Sequence, residues 1–157
     1  MDTASTKGFI LDKDLIELKA TYTTKEELLT KLATKLEEKG YAKKGYTEAL
    51  LQREVDYPTG INTGTIGVAI PHTDAIHVNE TTIAVAVLQD GIEFEEMGGL
   101  DGTVNVEIVL ILVVNEPKLH LSFLQKLMGM FQEEETLRTI KNTEDPGEIE
   151  RILTSLI

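Results

Sequence analysis

The sequence predicts an α/β fold with one sheet covered by helices, and three features predict it. Segments with apolar residues at helical spacing alternate along the chain with short β-branched runs. One such run, Val104 to Val114, alternates at first and then turns wholly apolar, the pattern of a central strand covered on both faces. The 157 residues carry no internal repeat, low-complexity tract or interdomain linker, which suits a single domain over 1–157.

Taken in order, residues 1–13 read as a lead-in, frayed over 1–10, and Leu15, Ile16 and Leu18 as a short first strand. Thr24-Lys-Glu-Glu27 is a capping box, in which the Thr24 hydroxyl takes an orphan N–H and Glu27 reaches back. Leu28, Leu29, Leu32, Ala33 and Leu36 follow at helical spacing and Gly40 supplies a stop, so a helix is expected over 25–39. A second helix is expected from Tyr46 to Glu54, turning Ala49, Leu50 and Leu51 inward. Pro58 ends it, because the residue before a proline avoids the helical conformation.

Strand patterns then take over. Gly67 to Ile70 reads as a buried strand closed by Pro71, Ile83 to Leu88 as a sheet strand, and Gly91 to Glu95 as a small edge strand. Pro117 opens a helix at the position that tolerates its missing N–H. Leu121, Leu124, Leu127, Met128 and Phe131 are its expected stripe. Leu137 and Ile140 suggest one brief further turn, and Glu148 to Ile157 a terminal amphipathic helix.

Composition narrows the function. Fifteen Lys and Arg against 27 Asp and Glu leave a formal charge of −12. That balance argues against nucleic-acid binding and against docking on an anionic membrane. It favours a basic partner. With no cysteine, disulfide scaffolds, Cys-bearing zinc modules and thiol nucleophiles are excluded. Met1 to Leu11 lacks the cationic start and apolar run of a signal peptide. The apolar run Ile108 to Val114 is too short to insert in a membrane, so a cytoplasmic location is expected.

Few residues remain to carry chemistry. His72 follows a strand and Pro71 directly, the kind of strand end where reacting groups gather in α/β folds. Arg53 ends a helix that feeds into Pro58-Thr59-Gly60; it suits a phosphate or carboxylate, or else pairs with its neighbours Glu54 or Asp56. His120 lies in the first turns of a helix, where the dipole favours anions and a neutral imidazole. His72, Asp74 and His77 offer metal-capable side chains, but at no common ligand spacing. No P-loop, G-x-S-x-G or G-x-G-x-x-G motif is present.

Arg53-Glu54, Tyr57-Pro-Thr-Gly-Ile61, Gly67-Val-Ala-Ile-Pro-His-Thr73 and Asn115-Glu-Pro-Lys-Leu-His120 occur in that order. The set resembles the fructose/mannitol-type IIA proteins of the bacterial phosphoenolpyruvate:sugar phosphotransferase system (PTS), over about residues 10 to 155. Tyr57 to Ile61 and His72 to His77 look closest to the galactitol-specific branch. The fructose and nitrogen-regulatory branches usually have glycine where Thr73 stands, which counts against a nitrogen-type regulatory protein, the alternative reading.

The resemblance implies a single mixed β-sheet flanked by helices and a phosphotransferase with a phosphohistidine intermediate. It makes His72 the phosphoacceptor, with Arg53 and the second histidine, His120, beside it. Thr59, Gly60 and Thr73 would border the phosphoryl pocket. The implied partners are the phosphocarrier HPr, a IIB component and, through it, a membrane IIC transporter. No cofactor and no metal are expected: such a carrier needs no ATP site, no carboxylate cluster lies near His72 beyond Asp74, and Arg53 can neutralise the phosphoryl charge.

Overall fold

The computed structural model describes residues 11–98 and 102–156, so the expected frayed stretch 1–10 and the terminal Ile157 lie outside the described residues. Five strands form one mixed sheet: β1 (Ile16–Ala20), β2 (Gly60–Ile61), β3 (Gly67–Ala69), β4 (Thr82–Glu95) and β5 (Thr103–Val113). Their order is β1-β4-β5-β3-β2. β1 runs parallel to β4 and β3 parallel to β5, whereas β4 with β5 and β2 with β3 are antiparallel.

The helices cover both faces. α1 (Lys25–Glu38) and α2 (Tyr46–Asp56) bury Leu28, Leu29, Leu32, Leu36 and Leu50 with Ala69, Ala84, Ala86 and Ile111 of the sheet. α3 (Pro117–Met130), α4 (Glu134–Asn142) and α5 (Pro146–Thr154) bury Phe123, Leu127, Ile140 and Leu153 with Val68, Val85, Ile108 and Leu110. Successive residues of β4 and β5 thus serve opposite layers, as the two-residue period of a strand requires. Each fully buried leucine contributes about 1.5–3 kcal/mol. This burial explains the unbroken apolar run in β5.

The local signals around α1 are those read from the sequence. The Thr24 hydroxyl accepts from the Glu27 N–H at 3.1 Å, while the Glu27 carboxylate takes the N–H of Thr23 at 2.8 Å, one residue earlier than a capping box would have it. Gly40 follows the helix at φ 84°, a left-handed conformation that favours glycine.

Four expectations are corrected. Gly91 to Glu95 is not an edge strand but the second half of β4, which continues past a register shift between Val87 and Ile92 and stays paired with β5. Gly91 allows this: a Cβ there would lie 2.2 Å from the Asn105 side chain. On α3, Leu127 and Phe131 are buried as expected, but Leu121 and Met128 are 56% and 37% exposed, and Phe123 and Met130 are buried in their place. Positions 123, 127 and 130 share one helical face at i, i+4 and i+7, and the sheet takes the face bearing the aromatic ring. The brief turn around Leu137 and Ile140 is a full helix, α4. Finally, α5 starts at Pro146 rather than Glu148, because the Asp145 carboxylate caps the N–H of Gly147 at 2.9 Å.

Candidate active site

β3 can approach β5 closely only because position 67 is glycine; a Cβ there would lie 2.1 Å from the Asn105 carbonyl oxygen. Beyond β3 the chain keeps touching β5. Leu112 donates its N–H to the Pro71 carbonyl at 3.0 Å, and His72 bridges to Leu112. A backbone bonded on one side and a proline on the other hold His72 at the strand end.

The His72 ring is half-buried, and its Nδ1 lies 2.8 Å from the carbonyl oxygen of Ile70. A carbonyl can only accept, so Nδ1 carries the proton and Nε2 keeps its lone pair. Burial pushes the His72 pKa below the ordinary histidine value, and the Arg53 charge pushes the same way; the Ile70 bond and Asp74 oppose them. Desolvation wins. The ring is a neutral base with one directed lone pair.

His120 enters from the first turns of α3, its ring centroid 4.6 Å from that of His72 and tilted by 51°. Burial, then the neighbouring His72, then Arg53 lower its pKa to about 4. It is therefore neutral at pH 7 and retains one N–H to donate.

Arg53 comes from the last turn of α2, whose end is closed by the Tyr57 N–H on the Arg53 carbonyl at 2.7 Å. Its guanidinium pairs with Asp74 at 2.9 Å, not with Glu54 or Asp56, and lies 4.9 Å from the centre of the Tyr57 ring. Its Nε is buried without a hydrogen-bond partner among the described residues. An unpaired buried donor on a cation is costly unless an acceptor arrives.

Glu54 is turned the other way. Its carboxylate is buried and takes both the N–H and the hydroxyl of Thr59, at 2.9 and 2.8 Å. Burial raises its pKa, and the two Thr59 bonds resist that rise. Glu54 thereby ties the Tyr57–Thr59 loop to α2 and fixes the rim of the cleft.

That cleft, of about 490 Å³, is lined by Arg53, Tyr57, Thr59, His72, Met97 and Leu124 among others. Of the residues expected to border a phosphoryl pocket, Thr59 lines it. Gly60 pairs with Ala69 inside the sheet, and the Thr73 hydroxyl donates to the Asp74 carbonyl at 2.9 Å. The structure thus brings Arg53, His72 and His120 together from α2, β3 and α3. Glu54 and Tyr57 had not been expected to shape the site, nor Asp74 to pair with Arg53. Asp74's place two residues after His72 was the one available signal. Among the described residues no three His, Asp or Glu side chains form a set able to hold a metal ion.

Comparisons with known proteins place the chain in a family. A family model described as "Phosphoenolpyruvate-dependent sugar phosphotransferase system, EIIA 2" matches residues 9–156. The chain is 31% identical over 120 residues to the PTS system galactitol-specific EIIA component of Escherichia coli (strain K12), spanning 76% of this chain and 79% of that one. It is 29% identical over 143 residues to the mannitol-specific phosphotransferase enzyme IIA component of Halalkalibacterium halodurans, spanning 89% and 91%.

Among solved structures, the nitrogen regulatory protein IIA-Ntr of Neisseria meningitidis superposes with a TM-score of 0.77 at 27% identity, over 96% of this chain and 99% of that one. The Escherichia coli mannitol enzyme IIA, solved in complex with phosphorylated enzyme IIB, superposes with a TM-score of 0.76 over 94% and 99%; at 22% identity this speaks of the fold alone. The chain belongs to the EIIA 2 family of the phosphoenolpyruvate-dependent sugar phosphotransferase system, and is a phosphotransferase that works through a histidine.

Proposed function

We propose that this chain is a cytoplasmic phosphocarrier that accepts a phosphoryl group on His72 from phospho-HPr and passes it to a IIB component. One observation carries this reading. The His72 Nδ1–H is held by the Ile70 carbonyl, which leaves the Nε2 lone pair as the nucleophile beside an arginine with an unused donor.

In the accepting step Nε2 forms the new N–P bond while the donor's N–P bond breaks and its electron pair returns to the donor imidazole. Phosphoryl transfer of this kind is governed by positioning and by stabilisation of charge on the phosphoryl oxygens. Arg53 supplies the positive charge, and neutral His120 supplies a hydrogen bond. As the His72 ring becomes positive on gaining phosphorus, its Nδ1–H bond to Ile70 strengthens, because charge-assisted hydrogen bonds are stronger. Donation to IIB reverses the same events.

Reconstitution with Enzyme I, HPr and phosphoenolpyruvate tests the assignment. His72 is expected to take an acid-labile, alkali-stable label, and full labelling of a His72→Ala protein would remove it from the role. The step from purified phospho-HPr should run undiminished in excess chelator, since Arg53 does the neutralising. Failure there would show that a divalent ion is needed.

The transported substrate is proposed to be a sugar alcohol, galactitol first, through a IIB partner and a membrane IIC transporter. The 31% identity to the galactitol-specific component supports this. Loss of growth on galactitol in a deletion strain is the expected outcome; normal growth there with failure on another sugar would reassign it. A second reading, a nitrogen-type regulator whose phosphorylation state controls partner binding, is favoured by the 27% identity to IIA-Ntr. Failure of the phosphorylated chain to donate to any sugar-specific IIB would favour the regulator.

A further inference from the structure

We propose that Asp74 sets the phosphoryl-transfer potential of this protein by competing with the phosphoryl group of His72 for Arg53. The inference rests on the reading of His72 as the carrier. Asp74 is then a positioning residue, acting through the guanidinium and taking no covalent part.

The geometry points to competition rather than to fixed support. The Asp74 side chain is 74% exposed, and its 2.9 Å bond to Arg53 Nη1 is the one hydrogen bond its carboxylate makes among the described residues. It heads the 3₁₀ turn Ala75–His77 without capping it. Among the described residues nothing else bonds the carboxylate. Arg53 is 32% exposed, braced over the Tyr57 ring, and its buried Nε lacks an acceptor among the described residues.

Charge decides the consequence. Without the phosphoryl group, one guanidinium faces one carboxylate. After transfer to Nε2, the same guanidinium faces that carboxylate and a phosphoryl group carrying two negative charges, of which the now positive His72 ring offsets one. Both Arg53 and Asp74 are close enough to act on the His72 ring, in opposite directions. Arg53 must then be shared or given up, and either outcome raises the free energy of the phosphorylated form relative to the free one. The atoms balance without Asp74: one N–P bond breaks, one forms, and the Nδ1 proton stays on His72. Its contribution is to keep the bound phosphoryl group easy to pass on.

The test is the equilibrium constant for transfer between phospho-HPr and the full chain, read as the phosphorylated fraction on a phosphate-affinity gel. Asp74→Asn should raise that constant about two- to fivefold at low salt, the range expected of an exposed ion pair. High salt should shrink the gain. Asp74→Glu should restore the wild-type value, and in an Arg53→Gln background the gain from Asp74→Asn should vanish. An unchanged or lowered constant in Asp74→Asn, or a gain that persists without Arg53, overturns the proposal. Absence of label on His72 in the wild type would overturn the carrier assignment together with it, whereas labelled His72 with an unchanged constant removes only the role of Asp74.

Discussion

Beneath α1, Leu28, Leu29, Leu32 and Leu36 are fully or almost fully buried against the sheet, while Lys31 and Glu38 on the same helix face water. At the end of β3, two imidazoles lie 4.6 Å apart, both neutralised by burial, beside a guanidinium whose buried Nε has no partner among the described residues. The first region exchanges water for carbon contacts and leaves little polar surface behind. The second withholds water from groups that want it. The Tyr46 hydroxyl, buried without a partner among the described residues, is the exception in the first layer. The difference teaches where to look for each property: stability comes from the α1 layer, and the cleft keeps unmet interactions that a phosphoryl group can meet.

The contrast makes Leu32→Ala the most damaging to stability, by about 2–5 kcal/mol, since Leu32 is fully buried and its neighbours refill such a cavity only in part. Denaturant unfolding measures the loss. The folded fraction should still accept phosphoryl groups at the wild-type rate, and a slowed rate would mean that the two regions are coupled.

Arg53→Ala should do the converse. Loss of one charge-stabilising donor slows such a reaction roughly a hundred- to a thousandfold, and quench-flow should show this in both acceptance and donation. Arg53→Lys should rescue it only in part, because lysine lacks the planar fork. The unfolding midpoint should move little, since the pair with the exposed Asp74 contributes about 0–1 kcal/mol and the variant also removes a buried Nε that has no acceptor among the described residues. His120→Ala should still become labelled at long times but donate much more slowly. Wild-type rates in both variants would dismantle the pocket.

Acid should separate the regions more gently. A histidine with a lowered folded-state pKa binds fewer protons folded than unfolded. Its contribution is therefore intact above about 6.5 and is lost as pH falls from there towards the folded value, about 4 for His120. His120→Gln should lose less melting temperature between pH 7 and pH 5 than the wild type does; equal losses would mean that the ring is not desolvated in solution. Smallest of all, Tyr46→Phe removes an unpartnered buried hydroxyl and should be neutral or slightly stabilising. A clear loss in chemical denaturation would reveal a partner for that hydroxyl, such as a buried water.

Much of this was legible along the chain, for a physical reason. Helix α1 follows from local signals: a hydroxyl that can cap, a glycine that can turn left-handed, and leucines at helical spacing all act within a few residues. The α/β class follows from the switch of apolar period. The apolar run of β5 marked a strand covered twice. His72, Arg53 and His120 were legible as candidates because their residue types are scarce or chemically distinctive, and because their order resembles one family.

What the chain order could not show depends on contacts between distant residues. The continuity of β4 past Gly91 is decided by Asn105 across the sheet, and the buried face of α3 by the layer it shares with residues of β4, β5, α4 and α5. Arg53 had charged neighbours at 54 and 56, and chain proximity made either a fair partner. Tertiary structure gave Glu54 to Thr59 instead and Arg53 to Asp74, 21 residues away. Ion pairing and desolvation depend on distance in space and on excluded water, and both arise only when α2, β3 and α3 meet at one end of the sheet.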